Sequence, residues 1–174
     1  DVGADAYYGE AVRWAAALGI VTGYSDGRFG ADDPITRQQM AVMLYRFARA
    51  LGMDTVQSGA DARGFDDFEQ VSAYAEEAIA WAANAAILRG ADNRLMPQAP
   101  CTRAQMVTML WRAMGQPAAA SGASFADVPA DSYYAQAAAW AIENGITAGV
   151  GGGRFDPNST CTRGQIATFL YRYM

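Results

Sequence analysis

Three stretches of the chain share one pattern: ITRQQM at 35–40, CTRAQM at 101–106 and CTRGQI at 161–166. In each, a Thr that can cap a helix N-terminus is followed three residues later by a Gln that can close a capping box. The apolar residue before the Thr can pack against the apolar residue at the fourth helical position as a hydrophobic staple. The three stretches therefore predict three helix starts built in the same way.

Behind each cap, apolar residues recur at the i, i+3, i+4, i+7 and i+8 spacing of an amphipathic helix. The three stripes are Met40, Met43, Leu44, Phe47 and Ala48; Met106, Met109, Leu110, Ala113 and Met114; and Ile166, Phe169, Leu170, Tyr173 and Met174. One unit of two short helices cannot bury such a stripe, whereas three stripes can bury one another. We expect an all-α fold, a pseudo-threefold trimer of repeats whose second helices form a central three-helix bundle.

Upstream of each cap, a Trp-Ala pair is followed nine residues later by a turn glycine, and the capping Thr lies 21 or 22 residues after the Trp. The Trp residues are assigned to packing in first helices at about 6–18, 74–86 and 133–144, which end at left-handed caps on Gly19, Asn84 and Gly145. Dipeptides that favour positive φ, Asp26-Gly27, Asp92-Asn93 and Gly152-Gly153, then predict tight reversals. The repeats span 1–51, 65–115 and 125–174, with linkers at 52–64 and 116–124.

The composition excludes the enzyme classes that depend on His or Lys side chains. All 13 basic residues are Arg and there is no His, so imidazole acid–base chemistry and lysine Schiff-base chemistry have no side chain to perform them. A net charge of −5 argues against binding to nucleic acid or to an anionic membrane surface. The chain has no apolar run long enough to span a membrane and no signal-peptide pattern. Cys101 and Cys161 occupy the staple position of Ile35, which favours packing over a redox or metal role, and whether they pair is left open.

Arginine follows the repeat as regularly as the apolar stripe does. Nine of the 13 arginines recur in register: Arg28, Arg94 and Arg154 in the turn, Arg37, Arg103 and Arg163 after the cap, and Arg46, Arg112 and Arg172 in the second helix. A cation at the first position of a helix opposes the helix dipole. Either a carboxylate of a neighbouring repeat offsets it, or the Arg and the helix N-terminus together hold an anionic ligand. The residues alone leave both explanations open.

The third repeat reads F-x-D-V-P, Y-Y-A, A-x-x-W-A, G-I, G-R-F-x-P-N and T-R-x-Q between Phe125 and Gln165, and GYSDGRF at 23–29 precedes ITRQQ at 35–39. This pattern resembles the S-layer homology (SLH) domain in all three copies. The resemblance implies a non-covalent anchor on the outside of the cell, which binds a peptidoglycan-linked wall polysaccharide in grooves between repeats. In the best-known members of that family the bound end is a terminal N-acetylmannosamine carrying a ketal-linked pyruvate. A signal peptide and an effector region are expected elsewhere in a longer exported protein.

The resemblance also implies which residues contact the ligand: Arg37, Arg103 and Arg163 for the carboxylate; Gly23, Gly90 and Gly149 of the turn; and Asp1, Asp67 and Asp127 for sugar hydroxyl groups. Tyr24, Tyr7, Tyr74 and Tyr133 are candidates for stacking on a sugar, although tyrosines of a first helix more often belong to the core. All three repeats carry Gln where the family usually has Glu. Unequal grooves are expected, with Gly23, Tyr24 and Arg37 forming the most competent one. No catalytic residue, cofactor or metal is expected.

Parts of the sequence also suggest three functions other than anchoring. A glycan hydrolase needs a pair of carboxyl groups across a cleft, and the adjacent pairs Asp32-Asp33 and Asp66-Asp67 are better explained as turn and cap residues. A calcium module is suggested only by Asp26, Asp32 and Asp33, without EF-hand spacing. A structural protein–protein module would share the same fold, with the arginines in ion pairs between repeats.

Overall fold

Six α-helices form the regular structure of residues 1–3, 5–56, 61–120 and 125–174, the part of the chain that the computed structural model describes. In chain order they are α1 Gly9–Ala17, α2 Arg37–Ala50, α3 Glu76–Asn84, α4 Arg103–Ala113, α5 Ala135–Glu143 and α6 Arg163–Tyr173. Helices α1, α3 and α5 are the first helices of the three repeats, and α2, α4 and α6 are the second helices. Short 3₁₀ turns lie at Ala62–Gly64, Phe68–Gln70 and Ala73–Ala75, and the described residues contain no strand. The predicted all-α class is confirmed.

The second helices begin where the capping motif predicts. Thr36 accepts a hydrogen bond from the Gln39 N–H, and the Gln39 side chain accepts one from the Thr36 N–H. The same reciprocal box is present at Thr102 and Thr162. The staple residues Ile35, Cys101 and Cys161 are fully buried. Their partners at the fourth position of each helix, Met40, Met106 and Ile166, are fully buried as well.

The first helices are shorter than predicted, and one of their ends lies elsewhere. Gly19 and Gly145 take the left-handed conformation as expected, with φ of 68° and 67°, but in repeat 2 this conformation falls on Ala86, with φ of 54°, and Asn84 is helical. The prediction for Asn84 is wrong because the buried Ile87 determines where the left-handed residue falls. The Ile87 N–H donates a hydrogen bond to the Ala82 carbonyl, and this bond requires the residue directly before Ile87 to be left-handed. The reversals at Gly27, Asp92-Asn93 and Gly152-Gly153 have the predicted positive φ.

Each first helix packs against the second helix of the preceding repeat. Helix α3 covers α2, α5 covers α4, and α1 returns to cover α6. The Trp side chains of α1 and α3 lie in these interfaces: the ring of Trp81 is 5.5 Å from that of Tyr45 on α2, and the ring of Trp14 is 5.4 Å from that of Tyr171 on α6. Trp140 of α5 is also buried, and its ring lies 5.8 Å from that of Tyr173 on α6 of the same repeat. Their assignment to packing is confirmed, and the chain of contacts closes on itself.

A ring of backbone hydrogen bonds joins the residues that precede the three caps. Cys101 N–H donates to Ile35 O at 2.8 Å, Cys161 N–H to Cys101 O at 2.9 Å, and Ile35 N–H to Cys161 O at 3.0 Å. Both cysteines are free and buried, and burial raises the pKa of each thiol to about 12. Helices α2 and α4 also touch. Exact pseudo-threefold packing, the central bundle and the repeat boundaries stay predictions, and the linkers fall partly at 57–60 and 121–124, outside the described residues.

Candidate binding pockets

Three pockets of the same construction lie between the repeats. We name each after the repeat that supplies its turn and second helix: the repeat-1 pocket has a volume of about 280 Å³, the repeat-2 pocket about 380 Å³ and the repeat-3 pocket about 220 Å³. Each pocket also receives the helix-start Arg of the preceding repeat and a Tyr from the following repeat. Every pocket is therefore assembled from all three repeats, because the order of the repeats is circular.

Each pocket contains one arginine from a helix start and one from the second helix. The pairs are Arg163 with Arg46 in the repeat-1 pocket, Arg37 with Arg112 in the repeat-2 pocket, and Arg103 with Arg172 in the repeat-3 pocket. Among the described residues that line these pockets, none is Asp or Glu. The charged side chains that line the pockets are thus all positive, on a protein whose net charge is −5.

The helix-start arginines are almost fully buried, with 5–8% of their surface exposed. Each donates from Nε to a backbone carbonyl of the next repeat at 2.8 Å: Arg37 to Leu95, Arg103 to Phe155 and Arg163 to Phe29. Burial lowers the pKa of Arg37. In the described part of the chain, no ion pair to a carboxylate is found for these three groups. The ion pair that the sequence left open as an explanation is therefore absent there.

Aromatic rings fix the plane of two of these guanidinium groups. The Arg163 guanidinium carbon lies 4.7 Å from the centre of the Tyr24 ring and 4.8 Å from that of Phe29. The Arg103 carbon lies 5.0 Å from the Phe155 ring and 5.5 Å from the Phe169 ring. Stacking of this kind stabilises a buried cation without neutralising it, so the charge stays available to a ligand.

The sequence repeats the second-helix arginines in register, but it does not predict them as site residues. Arg112 donates to Ile87 O at 3.2 Å and Arg172 to Ile146 O at 3.4 Å, which holds each side chain beside the turn. Gln39, Gln105 and Gln165 also line the pockets while they close the capping boxes. The spacing of each Gln from its Thr predicts only a capping box. That the Gln side chains also line the pockets follows from the way the repeats pack.

The turn glycines line the pockets where the sequence predicted them. A Cβ on Gly23 would lie 2.9 Å from the Arg28 carbonyl oxygen, and at Gly90 and Gly149, with φ of 68° and 79°, it would overlap the Arg94 and Arg154 carbonyls. Glycine is therefore required by the close approach of the two sides of the turn.

The tyrosines that open the first helices are not core residues. Tyr7, Tyr74 and Tyr133 are 64%, 57% and 58% exposed, and each lines one pocket, those of repeats 3, 1 and 2 respectively. The expectation that such tyrosines more often belong to the core is wrong here, because each lies just before its helix at the mouth of a pocket. Tyr24 lies in the repeat-1 pocket as expected.

The structure does not bring the three predicted aspartates into the pockets. Both carboxylate oxygens of each accept backbone N–H groups about 28 residues later: Asp1 from Phe29 and Gly30, Asp67 from Leu95 and Met96, and Asp127 from Phe155 and Asp156, all at 2.6–2.8 Å. Asp67 is 2% exposed. These carboxylates hold the segment whose carbonyl receives the buried Arg, so they position the site rather than line it.

The predicted grouping of Gly23 and Tyr24 with Arg37 also needs correction. Arg163 lies beside Gly23 and Tyr24, whereas Arg37 lies in the repeat-2 pocket with Gly90. The reason is that each helix-start Arg extends into the turn of the next repeat, and repeat 3 is followed by repeat 1 in space.

The geometry does not support a hydrolase or a metal-binding module. Asp67 is occupied by backbone N–H groups, and its neighbour Asp66 accepts a hydrogen bond from Asn93 at 2.7 Å. The described residues contain no group of three or more His, Cys, Asp or Glu side chains that could hold a metal ion. Of the helices in that part of the chain, none is both long and apolar enough to cross a membrane.

Tandem helix-turn-helix repeats with arginine-lined pockets between them define a helical module built from repeats. The chain belongs to the S-layer homology domain family, which matches residues 1–41, 64–107 and 124–167. It is 34% identical over 122 residues to a Surface-layer 125 kDa protein of Lysinibacillus sphaericus, covering 70% of this chain and 10% of that protein. It is 31% identical to a Middle cell wall protein of Brevibacillus brevis, covering 95% of this chain and 14% of the relative.

Two further relatives bear on function. A Cellulosome-anchoring protein of Acetivibrio thermocellus is 29% identical over 68% of this chain and 26% of its own length. An Endoglucanase of Bacillus is 30% identical over 58% of this chain but only 11% of its own length. This chain therefore corresponds to a small part of each relative. The family and these relatives support a role in anchoring at the cell surface or cell wall, and suggest a non-enzymatic module.

Proposed function

We propose that this chain anchors a larger exported protein by binding the acidic end of a cell-wall polysaccharide in its three pockets. The observation that carries the proposal is the lining of each pocket, with at least two arginines, an exposed tyrosine and no carboxylate among the described residues. Burying a guanidinium without a counter-charge is costly, and an anionic ligand offsets that cost.

The proposed ligand is a terminal N-acetylmannosamine that carries a ketal-linked pyruvate. Its carboxylate offers two oxygens to a planar guanidinium, whose orientation is already fixed by the bond from Nε and, for Arg103 and Arg163, by aromatic rings. The exposed tyrosine supplies an apolar face for the sugar ring. The turn glycine lets the ligand approach the backbone closely.

A wall-binding assay tests this proposal. The triple variant Arg46→Gln, Arg112→Gln, Arg172→Gln removes one charge from each pocket while leaving the buried helix-start arginines in place. We expect co-sedimentation with purified cell walls to weaken at least about tenfold, in the range of a lost charge-assisted contact. The control is Arg13→Gln, an exposed arginine of α1 outside these pockets, which should bind within about twofold of the unaltered chain.

Removing the ketal-linked pyruvate from the walls with mild acid should weaken binding of the unaltered chain to the same degree as the triple variant. Binding that survives both treatments contradicts the proposal and favours a structural protein–protein module. Release of soluble sugar from the walls by the purified chain would instead favour a hydrolase.

A further inference from the structure

One arginine breaks the equivalence of the three pockets. Four of the 13 arginines fall outside the repeat pattern, and one of these, Arg89, lines the repeat-2 pocket directly before Gly90. The equivalent positions, Thr22 and Ala148, carry no charge. The repeat-2 pocket is therefore lined by three guanidinium groups where the other two pockets have two.

The position of Arg89 is set by the unusual end of α3. Its Nε donates to the carbonyl of Ala86 at 3.2 Å, and Ala86 is the residue held in the left-handed conformation. The side chain is exposed, so its charge lies at the pocket mouth rather than in the core. Arg37 lies buried in the same pocket, and Arg112 lies half-buried between turn and helix.

The charges of this pocket repel one another. Burial lowers the pKa of Arg112, and the charge of Arg89 lowers it further. No carboxylate is found among the described residues of the pocket lining to relieve the repulsion. A ligand with one negative charge compensates only part of this excess, whereas a ligand with two compensates more of it.

The stacking partner of the first pocket is also missing. Ala91 stands where the repeat-1 turn has Tyr24, so the repeat-2 turn contributes charge in place of an aromatic face. A phosphate has three terminal oxygens to share among several guanidinium groups, while a carboxylate has two.

We propose that the repeat-2 pocket selects a sugar end bearing a doubly charged oxyanion, such as a phosphate monoester, and that Arg89 determines this selectivity. The other two pockets take the singly charged carboxylate. The inference rests on the proposed function, since it assumes that the pockets bind acidic sugars, but it assigns a different ligand charge to one of them.

The test compares two probes on the full chain: N-acetylmannosamine 6-phosphate and the methyl glycoside of 4,6-pyruvylated N-acetylmannosamine. Backbone amide NMR signals of Gly23, Gly90 and Gly149 report on the three pockets separately. At pH 7.5 we expect the phosphate to bind the repeat-2 pocket about tenfold more tightly than the pyruvylated sugar does. At pH 5 that advantage should largely disappear, because the phosphate, whose second pKa is about 6, becomes singly charged.

Two exchanges between pockets serve as matched variants. Arg89→Thr installs the repeat-1 residue and should reduce phosphate affinity at Gly90 about tenfold, while affinity for the pyruvylated sugar falls less than about threefold. Ala148→Arg places the extra charge at an exposed position between Thr147 and Gly149, which both line the repeat-3 pocket, and should create the phosphate preference at Gly149.

The outcomes separate the two proposals. If the pyruvylated sugar binds the pockets but Arg89→Thr keeps the phosphate preference, or loses both ligands equally, Arg89 does not determine selectivity and the proposed function stands. If neither sugar shifts any of the three glycine signals, both proposals fail.

Discussion

The helix-start arginines each hold two repeats together, and this changes what their removal should do. If they only contacted a ligand, replacing them by Ala would weaken binding and leave the fold intact. The structure instead buries them and gives each a hydrogen bond to a carbonyl of the next repeat. They are structural groups and candidate ligand contacts at once.

We predict that Arg103→Ala lowers the free energy of unfolding by about 2 kcal/mol, because the buried Phe155 carbonyl loses its partner and two rings lose their stacked cation. Urea denaturation followed by circular dichroism measures this. Arg172→Ala, which removes an exposed arginine of the same pocket, should cost less than about 1 kcal/mol. Equal losses in the two variants would mean that burial of Arg103 does not stabilise the fold.

Because the pKa of Asp127 is lowered in the folded chain, we predict that the stability of the chain falls at acidic pH. Partial burial opposes ionisation, but the Phe155 and Asp156 N–H groups, with Arg154 at 3.6 Å, hold the pKa of Asp127 below its usual value. A carboxyl whose pKa is lower in the folded chain stabilises it fully above the unfolded pKa of about 3.9 and loses this effect as the pH falls through the folded value. The melting temperature should therefore fall between pH 5 and pH 2 less steeply in Asp127→Asn. The exposed Asp131→Asn serves as the control, and a slope changed as much by it would contradict the assignment.

At the scale of the elements, the end of α3 carries a residue in an unfavourable conformation. Ala86 has a φ of 54° where repeats 1 and 3 have glycine. We predict that Ala86→Gly stabilises the chain by about 1 kcal/mol, because glycine adopts this conformation without the clash of a Cβ. Thermal unfolding measures the gain. Its neighbour Ala85, at φ −80°, is the matched control: Ala85→Gly should give no gain, and a gain there equal to that at Ala86 would point to a cause other than the left-handed conformation.

The elements that the sequence predicts correctly are those with short-range signals. Thr36 and Gln39 lie within one helical turn, so their capping box follows from spacing alone, and the glycines of the reversals follow from their φ preference. The bond from Asp67 to Leu95 N–H spans 28 residues, and no local pattern distinguishes a carboxylate that binds backbone from one that contacts a sugar. Tyr74 and Trp81 lie close in sequence, yet one lines a pocket and the other is buried, which only the packing of α3 on α2 decides.

At the scale of the whole molecule, the contact of α1 with α6 closes the circle of repeats. The sequence indicated that three units share a core but not which first helix covers which second helix, because that choice depends on how the connecting segments run. The wrong assignment of Arg37 to the pocket of Gly23 has the same origin. Helix α1 packs the N-terminal repeat against the C-terminal one. This contact places Arg163 of repeat 3, rather than Arg37, beside Gly23 of repeat 1.

We predict that Trp14→Ala loosens the third repeat more than the second. Its ring lies against Tyr171 of α6 and Phe47 of α2, so its loss should cost about 3 kcal/mol and speed amide hydrogen exchange in α6 relative to α4. Trp81→Ala is the matched variant and should act mainly on α2, through Tyr45. Identical exchange patterns in the two variants would show that the repeats do not open separately.

The shared construction of the pockets has a mechanical consequence. Each pocket is lined by side chains from all three repeats, so a glycan bound in one pocket would contact all three repeats at once. If a glycan binds there as proposed, tension on the chain has to break its contacts to the glycan before the repeats that line that pocket can separate. Attachment to the wall and resistance to being torn from it by shear would then increase together.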